Sequence, residues 1–447
     1  MARERKYFGT DGVRDIANSG NMTPEFALKL GRAFIKFNHG RRPTASKKIV
    51  IGLDTRLSGT MLEGALSAGM ASEGAEVFSA GIIPTPGVSF AVKELKADGG
   101  AVISASHNPA EYNGIKFLGS DGCKLSDEEE LAIEDLLFTE NGTSKNTGSI
   151  HRRADLVKDY AEHIAGYLND EAVIDRVVFD CASGASAMSV PVLVENSKFS
   201  KLNTAIISKD FDGLNINKNC GVMHMENLTG YVVKNKMALG FAFDGDADRV
   251  LICDSKGRVI DGDIILWVLG RWLHKRDKNN NKVAVTVMSN MALEAHLKKD
   301  GIKTLRCPVG DRYVLETMRE NNAALGGEQS GHIIASEFTG TGDGLCTAVL
   351  FLNAIKDLGE DVSTLIDRFG RYPQKLTNLK LKKSRELVDM DAVNKTVSEY
   401  EAKIPDGRVF VRTSGTEPLL RILVEAPEKK TVDEISDALS EKLEKFC

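Results

Sequence analysis

No Cys-x-x-Cys pair occurs in this sequence, although it holds 7 cysteines. They are scattered (Cys123, Cys181, Cys220, Cys253, Cys307, Cys346 and Cys447), which excludes a local zinc knuckle and fits reduced thiols in a cytosol. No apolar run approaches the about 18 residues that a spanning helix needs, so no membrane contact is expected. Met1-Ala2-Arg3-Glu4-Arg5-Lys6 has no apolar core behind it, so no signal peptide is expected either. Excess positive charge is also missing. A net charge of −5 and a pI near 6.0 argue against nucleic acid or an anionic membrane as partner. Gly-x-x-x-x-Gly-Lys-Ser/Thr and Gly-x-Ser-x-Gly are both absent, which removes a Walker loop and a hydrolase elbow. Gly340-Thr341-Gly342-Asp343-Gly344 is glycine-rich but makes no dinucleotide fingerprint.

What remains is ordinary globular composition, 42% apolar and 27% charged, over 447 residues. Such a chain can bury sizeable cores without staples and suggests roughly three domains of ordinary size. Strand-like runs at 48–53, 99–103, 176–180 and 283–287 alternate with helix-like ones, which implies α/β units. Polar stretches at 140–149 and 275–282, and Tyr372-Pro373-Gln374, read as boundaries. The expected fold is three similar α/β domains with mixed, largely parallel sheets, then a C-terminal α+β domain patterned strand, helix, strand, strand, helix. Expected domains are 1–153, 154–256, 257–371 and 372–447.

Four constellations carry chemistry. Asp244-Gly245-Asp246-Ala247-Asp248-Arg249 follows the apolar run 238–243. Alternate like charges at the end of a buried strand call for a cation, and hard carboxylate oxygens favour Mg²⁺, Mn²⁺ or Ca²⁺. An EF-hand fails, because Arg249 and Ser255 stand where Gly and Glu are needed. A solvated acidic turn is the plainer alternative. Ser104-Ala105-Ser106-His107-Asn108-Pro109 delivers a serine to a tight turn, and ordinary turn chemistry accounts for it equally well. Downstream, Lys116 lies between apolar neighbours. Burial would lower its pKa and make a neutral base near pH 7; a surface lysine is the alternative. Gly326-Gly327-Glu328-Gln329-Ser330-Gly331-His332 brings three polar side chains to a glycine-framed loop, or is simply a glycine-rich hairpin. Arg412-Thr413-Ser414-Gly415-Thr416-Glu417-Pro418, with Arg421 beyond, has the amides, hydroxyls and arginines of a phosphate cradle.

Together, and in this order along nearly the whole chain, the motifs resemble those of the α-D-phosphohexomutase superfamily. In that family Ser-His-Asn-Pro carries a phosphoserine, Asp-x-Asp-x-Asp-Arg holds Mg²⁺, Gly-Glu-x-Ser-Gly-His reads the sugar, and Arg-x-Ser-Gly-Thr binds the substrate's phosphate. Segments 8–14, 213–217 and 309–314, and the glutamine at 329, are most similar to bacterial members acting on glucosamine phosphates. The resemblance implies four domains around a central cleft and interconversion of glucosamine 6-phosphate and glucosamine 1-phosphate, toward UDP-N-acetylglucosamine and cell wall. The implied course runs through phosphorylated Ser106 and glucosamine 1,6-bisphosphate. Action on mannose or glucose phosphates is the alternative within the family, and a non-catalytic carbohydrate-phosphate sensor the alternative outside it.

The resemblance also assigns residues. One Mg²⁺ would be held by Asp244, Asp246, Asp248 and a phosphate oxygen on Ser106. Arg249, with Arg14 and His107, would stabilise the transferring group. Lys116 and His332 would serve as general acid and base. Glu328 and Ser330 would bind sugar hydroxyls, while Arg412, Ser414, Gly415, Thr416 and Arg421 hold the second phosphate. The partner is a small sugar phosphate, and the family suggests a homodimer. The chain departs from the family at Asp15, Leu53, Ser183, Val222 and Met223. Asp15 sets a negative charge next to Arg14 in sequence.

Overall fold

A computed structural model describes residues 5–9, 11–41, 47–139, 146–169, 174–382, 388–404, 406–413 and 418–446. The first segment contains β1 (Val13–Ile16), α1 (Pro24–Arg41), β2 (Lys48–Leu53), α2 (Gly59–Ser72), β3 (Glu76–Ile82), α3 (Thr85–Glu94), β4 (Gly99–Ile103), β5 (Tyr112–Gly119), α4 (Asp127–Leu136) and β6 (Ser149–Arg152). Its six strands lie in the order β1-β5-β4-β2-β3-β6. The β4-β2-β3-β6 part is parallel; β5 and β1 add antiparallel. β2 and β4 are almost wholly buried, as expected for a sheet with helices on both faces. One core cluster gathers α1 and α2 residues such as Leu30, Phe34 and Leu66; another gathers Val88, Val92 and Leu156.

A second set follows: α5 (Leu156–Gly166), β7 (Val177–Asp180), α6 (Ser186–Glu195), β8 (Thr204–Ile207), α7 (Met225–Lys234), β9 (Leu239–Phe243), β10 (Val250–Asp254) and β11 (Val259–Ile260). Its sheet runs β11-β10-β9-β7-β8. A third holds α8 (Gly262–Arg276), β12 (Lys282–Thr286), α9 (Met291–Lys299), β13 (Lys303–Cys307), α10 (Asp311–Asn321), β14 (Leu325–Gly327), β15 (Ile333–Ala335), α11 (Gly344–Leu358) and α12 (Val362–Phe369), with sheet order β13-β12-β14-β15. Each sheet is mixed and mostly parallel at its centre, as the sequence pattern predicts.

The last segment has β16 (Gln374–Lys380), α13 (Met390–Glu401), β17 (Arg408–Thr413), β18 (Leu419–Glu425) and α14 (Lys429–Leu443). Its sheet, β16-β18-β17, is wholly antiparallel. β16 alternates exposed and half-buried positions, the pattern of a sheet with one face toward water. By contacts the chain forms two compact units: residues 1–288 with 302–365, and residues 289–301 with 366–447. No described helix is long and apolar enough to cross a membrane. The six described cysteines are buried and unpaired, while Cys447 lies outside the described residues.

Candidate active site

The aspartate trio occupies the turn between β9 and β10, in the larger unit. Three helix starts grip its backbone. Thr85 N donates to the Asp246 carbonyl at 2.9 Å, Ala185 N to that of Gly245 at 2.8 Å, and Gly344 N to that of Ala247 at 3.0 Å. Thr85 opens α3, Ala185 caps α6 and Gly344 opens α11. The turn therefore cannot spread its charges apart. Asp244, Asp246 and Asp248 are all buried, with ligand oxygens within 4.8 Å of one another.

The electrostatics follow from that crowding. Burial, then the neighbouring Asp248 and Asp246, push the Asp244 carboxyl well above the usual carboxylate range. Burial and Asp246 raise Asp248 as well. Burial would also raise Asp246, but Lys116 and the Thr85 hydroxyl outweigh it and hold that group low. Thr85 Oγ1 donates to Asp246 Oδ2 at 2.6 Å, and Lys116 Nζ lies 3.1 Å from the same oxygen. Asp246 Oδ1 and Asp248 Oδ1 are buried without a hydrogen-bond partner. Two orphaned carboxylate oxygens among three aspartates fit a hard divalent cation and do not fit a solvated turn.

Ser106 arrives from the β4–β5 loop. Its Oγ donates to Asp244 Oδ2 at 2.7 Å and lies 3.3 Å from His107 Nδ1. The approach is close: a Cβ on Gly245 would stand 2.5 Å from the Ser106 carbonyl oxygen. Arg249 Nη1 faces His107 Nδ1 at 3.2 Å. Burial, then the cations Arg249 and Arg14, depress His107 to about 4. His107 is thus neutral near pH 7.

The neutral-base reading of Lys116 is corrected by its neighbours. It is buried, as anticipated, but burial does not win. Its Nζ lies 2.9 Å from Asp11 and 3.1 Å from Asp246, and these two carboxylates raise its pKa above that of a free lysine. Lys116 is an ammonium here, not a neutral base. On β5, it pairs with Val102 of β4, and the next residue, Phe117, points to the opposite face and stacks on Phe34 at 4.1 Å.

The glycine-framed loop joins β14 to β15 and is a hairpin, so both readings of that segment hold structurally. An antiparallel bridge between Arg249 and His332 brings it against the trio. His332 Nε2 lies 4.0 Å from Asp248 and 3.6 Å from Asp311. Both ring nitrogens are buried without a hydrogen bond. Glu328 accepts from Gly310 N at 3.2 Å and from Ser330 Oγ at 3.5 Å. Arg14 donates to Asp11 at 2.7 Å and to Asn108 Oδ1 at 2.9 Å. Asp15 does not oppose it: the Asp15 carboxylate accepts from the backbone of Ile16 and Asn21.

Ser106, Lys116, the trio and His332 therefore meet in one buried cluster, with Arg14, His107 and Arg249 half-buried beside it and Glu328 and Ser330 on the adjoining loop. Arg412 and Arg421 belong to the smaller unit, where they pair across β17 and β18. Ser414, Gly415 and Thr416 lie outside the described residues. Several participants were not singled out from sequence. Lys124 ties Asp11 at 2.6 Å and pairs with Asp311, linking the first and third segments. Arg56, fully buried, reaches the carbonyls of Ser106 and Asn108. Asn217 reaches the same two carbonyls at 2.8 and 3.1 Å.

Models of the phosphoglucomutase/phosphomannomutase family match in order: α/β/α domain I at 5–144, domain II at 158–257, domain III at 261–372 and the C-terminal domain at 376–442. A phosphoglucosamine mutase of Clostridium novyi is 42% identical over 450 residues, covering 98% of each chain. One of Anoxybacillus flavithermus is 41% identical, covering 97% of this chain and 98% of the relative. A solved family protein from Burkholderia thailandensis superposes with a TM-score of 0.80 at 24% identity, over 98% and 97% of the two chains. The N-acetylphosphoglucosamine mutase of Aspergillus fumigatus, solved with GlcNAc-6P and magnesium, gives 0.65 at 13% identity, over 99% and 96%. At those identities the solved structures speak for the fold; the curated relatives and the four domain models speak for the family. The chain is an isomerase of the phosphoglucomutase/phosphomannomutase family.

Proposed function

We propose that this protein interconverts glucosamine 6-phosphate and glucosamine 1-phosphate, supplying amino sugar for UDP-N-acetylglucosamine and cell-wall synthesis in the cytosol. The observation that carries the chemistry is the Ser106 hydroxyl held 2.7 Å from Asp244, beside two orphaned carboxylate oxygens. The curated relatives' names carry the choice of sugar.

In this reading Ser106 carries a phosphoryl group. Asp244, Asp246 and Asp248 would hold one Mg²⁺, which offsets negative charge on that group when bound. Phosphoryl transfer asks for positioning and charge stabilisation more than covalent chemistry. The P–O bond to Ser106 Oγ breaks as a sugar hydroxyl oxygen binds phosphorus, and the hydroxyl proton passes to a base. His332, with both ring nitrogens free of hydrogen bonds, suits that task; Lys116, an ammonium, suits the acid role toward the leaving oxygen. Arg249, beside His107, would stabilise the equatorial oxygens, with Arg14 held by Asn108 to assist. His107 serves as a neutral neighbour rather than a cation.

The product of the first transfer is glucosamine 1,6-bisphosphate. Turned over, it returns its other phosphoryl group to Ser106. Glu328 and Ser330 accept sugar hydroxyls in both orientations. Arg412 and Arg421, with Ser414, Gly415 and Thr416, take the phosphate not in transfer. Arg412 and Arg421 stand opposite each other across an antiparallel pair and gather the positive charge that a phosphate needs, which supports that assignment. Residues 1–153 thus supply the phosphoserine, 154–256 the metal ligands, 257–371 the sugar loop and 372–447 the distal phosphate cradle.

The test is a substrate panel. The enzyme is incubated with Mg²⁺, a trace of sugar bisphosphate and the 6-phosphates of glucosamine, glucose and mannose, while intact mass follows Ser106. Turnover fastest on glucosamine 6-phosphate is expected. Preference for mannose or glucose phosphate would replace the substrate and keep the chemistry; no turnover on any would leave a sugar-phosphate sensor.

A further inference from the structure

Ser106 has a feature that its hydroxyl contacts do not explain. Its backbone is left-handed, with φ of 51°, a conformation that residues other than glycine adopt at a cost. Something must hold it there. Its N–H donates to Ser104 Oγ at 2.9 Å, and that hydroxyl donates to Asp54 Oδ2 at 2.6 Å. The same carboxylate oxygen accepts from Arg56 Nε at 2.9 Å, and Arg56 Nη2 donates back to the Ser106 carbonyl at 3.0 Å. The path closes on itself around one residue.

We infer that Asp54, Ser104 and Arg56 form a closed hydrogen-bond circuit that positions Ser106 for phosphoryl transfer, with Asn217 as a second hold on the same carbonyl. The inference rests on Ser106 being the phosphoryl carrier. Both charged side chains of the circuit are fully buried, and Arg56 is among the largest side chains so enclosed. Its guanidinium also donates to the carbonyls of Asn108 at 2.8 Å and Tyr112 at 2.9 Å, and to that of Pro109. A planar fork can serve four carbonyls and a carboxylate at once; an ammonium cannot. Asn217 crosses from the second segment to the carbonyls of Ser106 and Asn108, so the loop is held from two sides. The left-handed turn sets the direction in which Oγ leaves the backbone, toward Asp244. None of these four residues need touch substrate; they are positioning residues.

The test compares R56K, S104A and N217A with wild type. It reads kcat, KM, Tm and the single-turnover rate at which phosphorylated Ser106 gives up its group to sugar phosphate. R56K should lower kcat and the transfer rate together, by about a hundredfold, with KM within about threefold of wild type. S104A and N217A should each lower both rates by about tenfold in folded protein. If these two variants fold and transfer at the wild-type rate, or lose activity only in proportion to their unfolded fraction, the positioning role is overturned. Should R56K fail to fold, the other two decide by the same criterion. A wild-type enzyme that turns over while Ser106 stays unphosphorylated by intact mass overturns the carrier reading itself. Unchanged transfer in variants of a phosphorylated enzyme overturns the circuit alone.

Discussion

Two antiparallel strand pairs carry opposite charges: the acidic turn that joins β9 to β10, and the arginines within β17 and β18. The acidic turn is buried. Its carboxylates draw on Thr85, Lys116 and Ser106, all from the first segment, and its backbone on three helix starts. The register of β17 with β18 puts Arg412 and Arg421 opposite each other on a sheet that shows one face to water. Buried carboxylates need counter-charges built into the fold, because leaving them unpaired is expensive. Two arginines opposed on neighbouring strands instead gather positive charge in one place. The first arrangement suits chemistry on a fixed group; the second suits capture of a phosphate that comes and goes.

Four substitutions would break or sharpen this contrast. Ser106→Ala should have the largest effect, removing turnover and the phosphorylated form seen by intact mass together; full activity would end the carrier assignment. Asp246→Asn should lower kcat by about 10²–10³-fold and flatten the Mg²⁺ titration, since metal ligands hold both rate and affinity. An unchanged titration would mean that the trio holds no cation. Arg421→Ala should act in the other way, raising KM by about tenfold with kcat nearly intact. A fall confined to kcat would move that arginine from capture to chemistry.

The smallest expected effect concerns stability. Asp343 caps α11, accepting from Cys346 N and from the Tyr160 hydroxyl, each at 2.9 Å. Burial pushes its carboxyl up to about 7, above the usual value of an unfolded aspartate. The native state therefore binds the extra proton. The associated stability is full below the unfolded value, near 4, and is lost as pH rises through about 7. Asp343→Asn, which imitates the protonated acid, should flatten Tm between pH 4 and 7. A slope equal to wild type would show that another group carries it.

Much of the trio's meaning was legible because it is local. A buried strand, three alternate carboxylates and an arginine occupy consecutive positions, and the structure adds orphaned oxygens that fit a cation. The alternation of strands and helices likewise fixed the layer architecture. The circuit around Ser106 was not legible. Arg56 stands 50 positions from its main target and offers no local pattern, and Thr85 stands 161 positions from Asp246. Lys124 and Asp311 stand 187 positions apart, and only the fold brings them together. The protonation of Lys116 was misjudged for the same reason. Sequence places Lys116 between apolar neighbours, which leaves burial and exposure both open; it does not announce Asp11 and Asp246 on either side.

The pairing of β4 with β5 has a consequence for how this site can change over time. Ser106 and Lys116 sit on one hairpin, with Lys116 set opposite Val102 and Phe117 turned the other way onto Phe34. Loop length between the strands can vary while that register stands. Loss of one residue within β5 cannot be absorbed so easily, because a slip of one reverses every side chain along the strand. It would drive an ammonium into the aromatic core and a phenyl ring toward the aspartates. Divergence among relatives should therefore spare the spacing within β5 even where it rewrites the residues, and length changes should gather in the turns outside it.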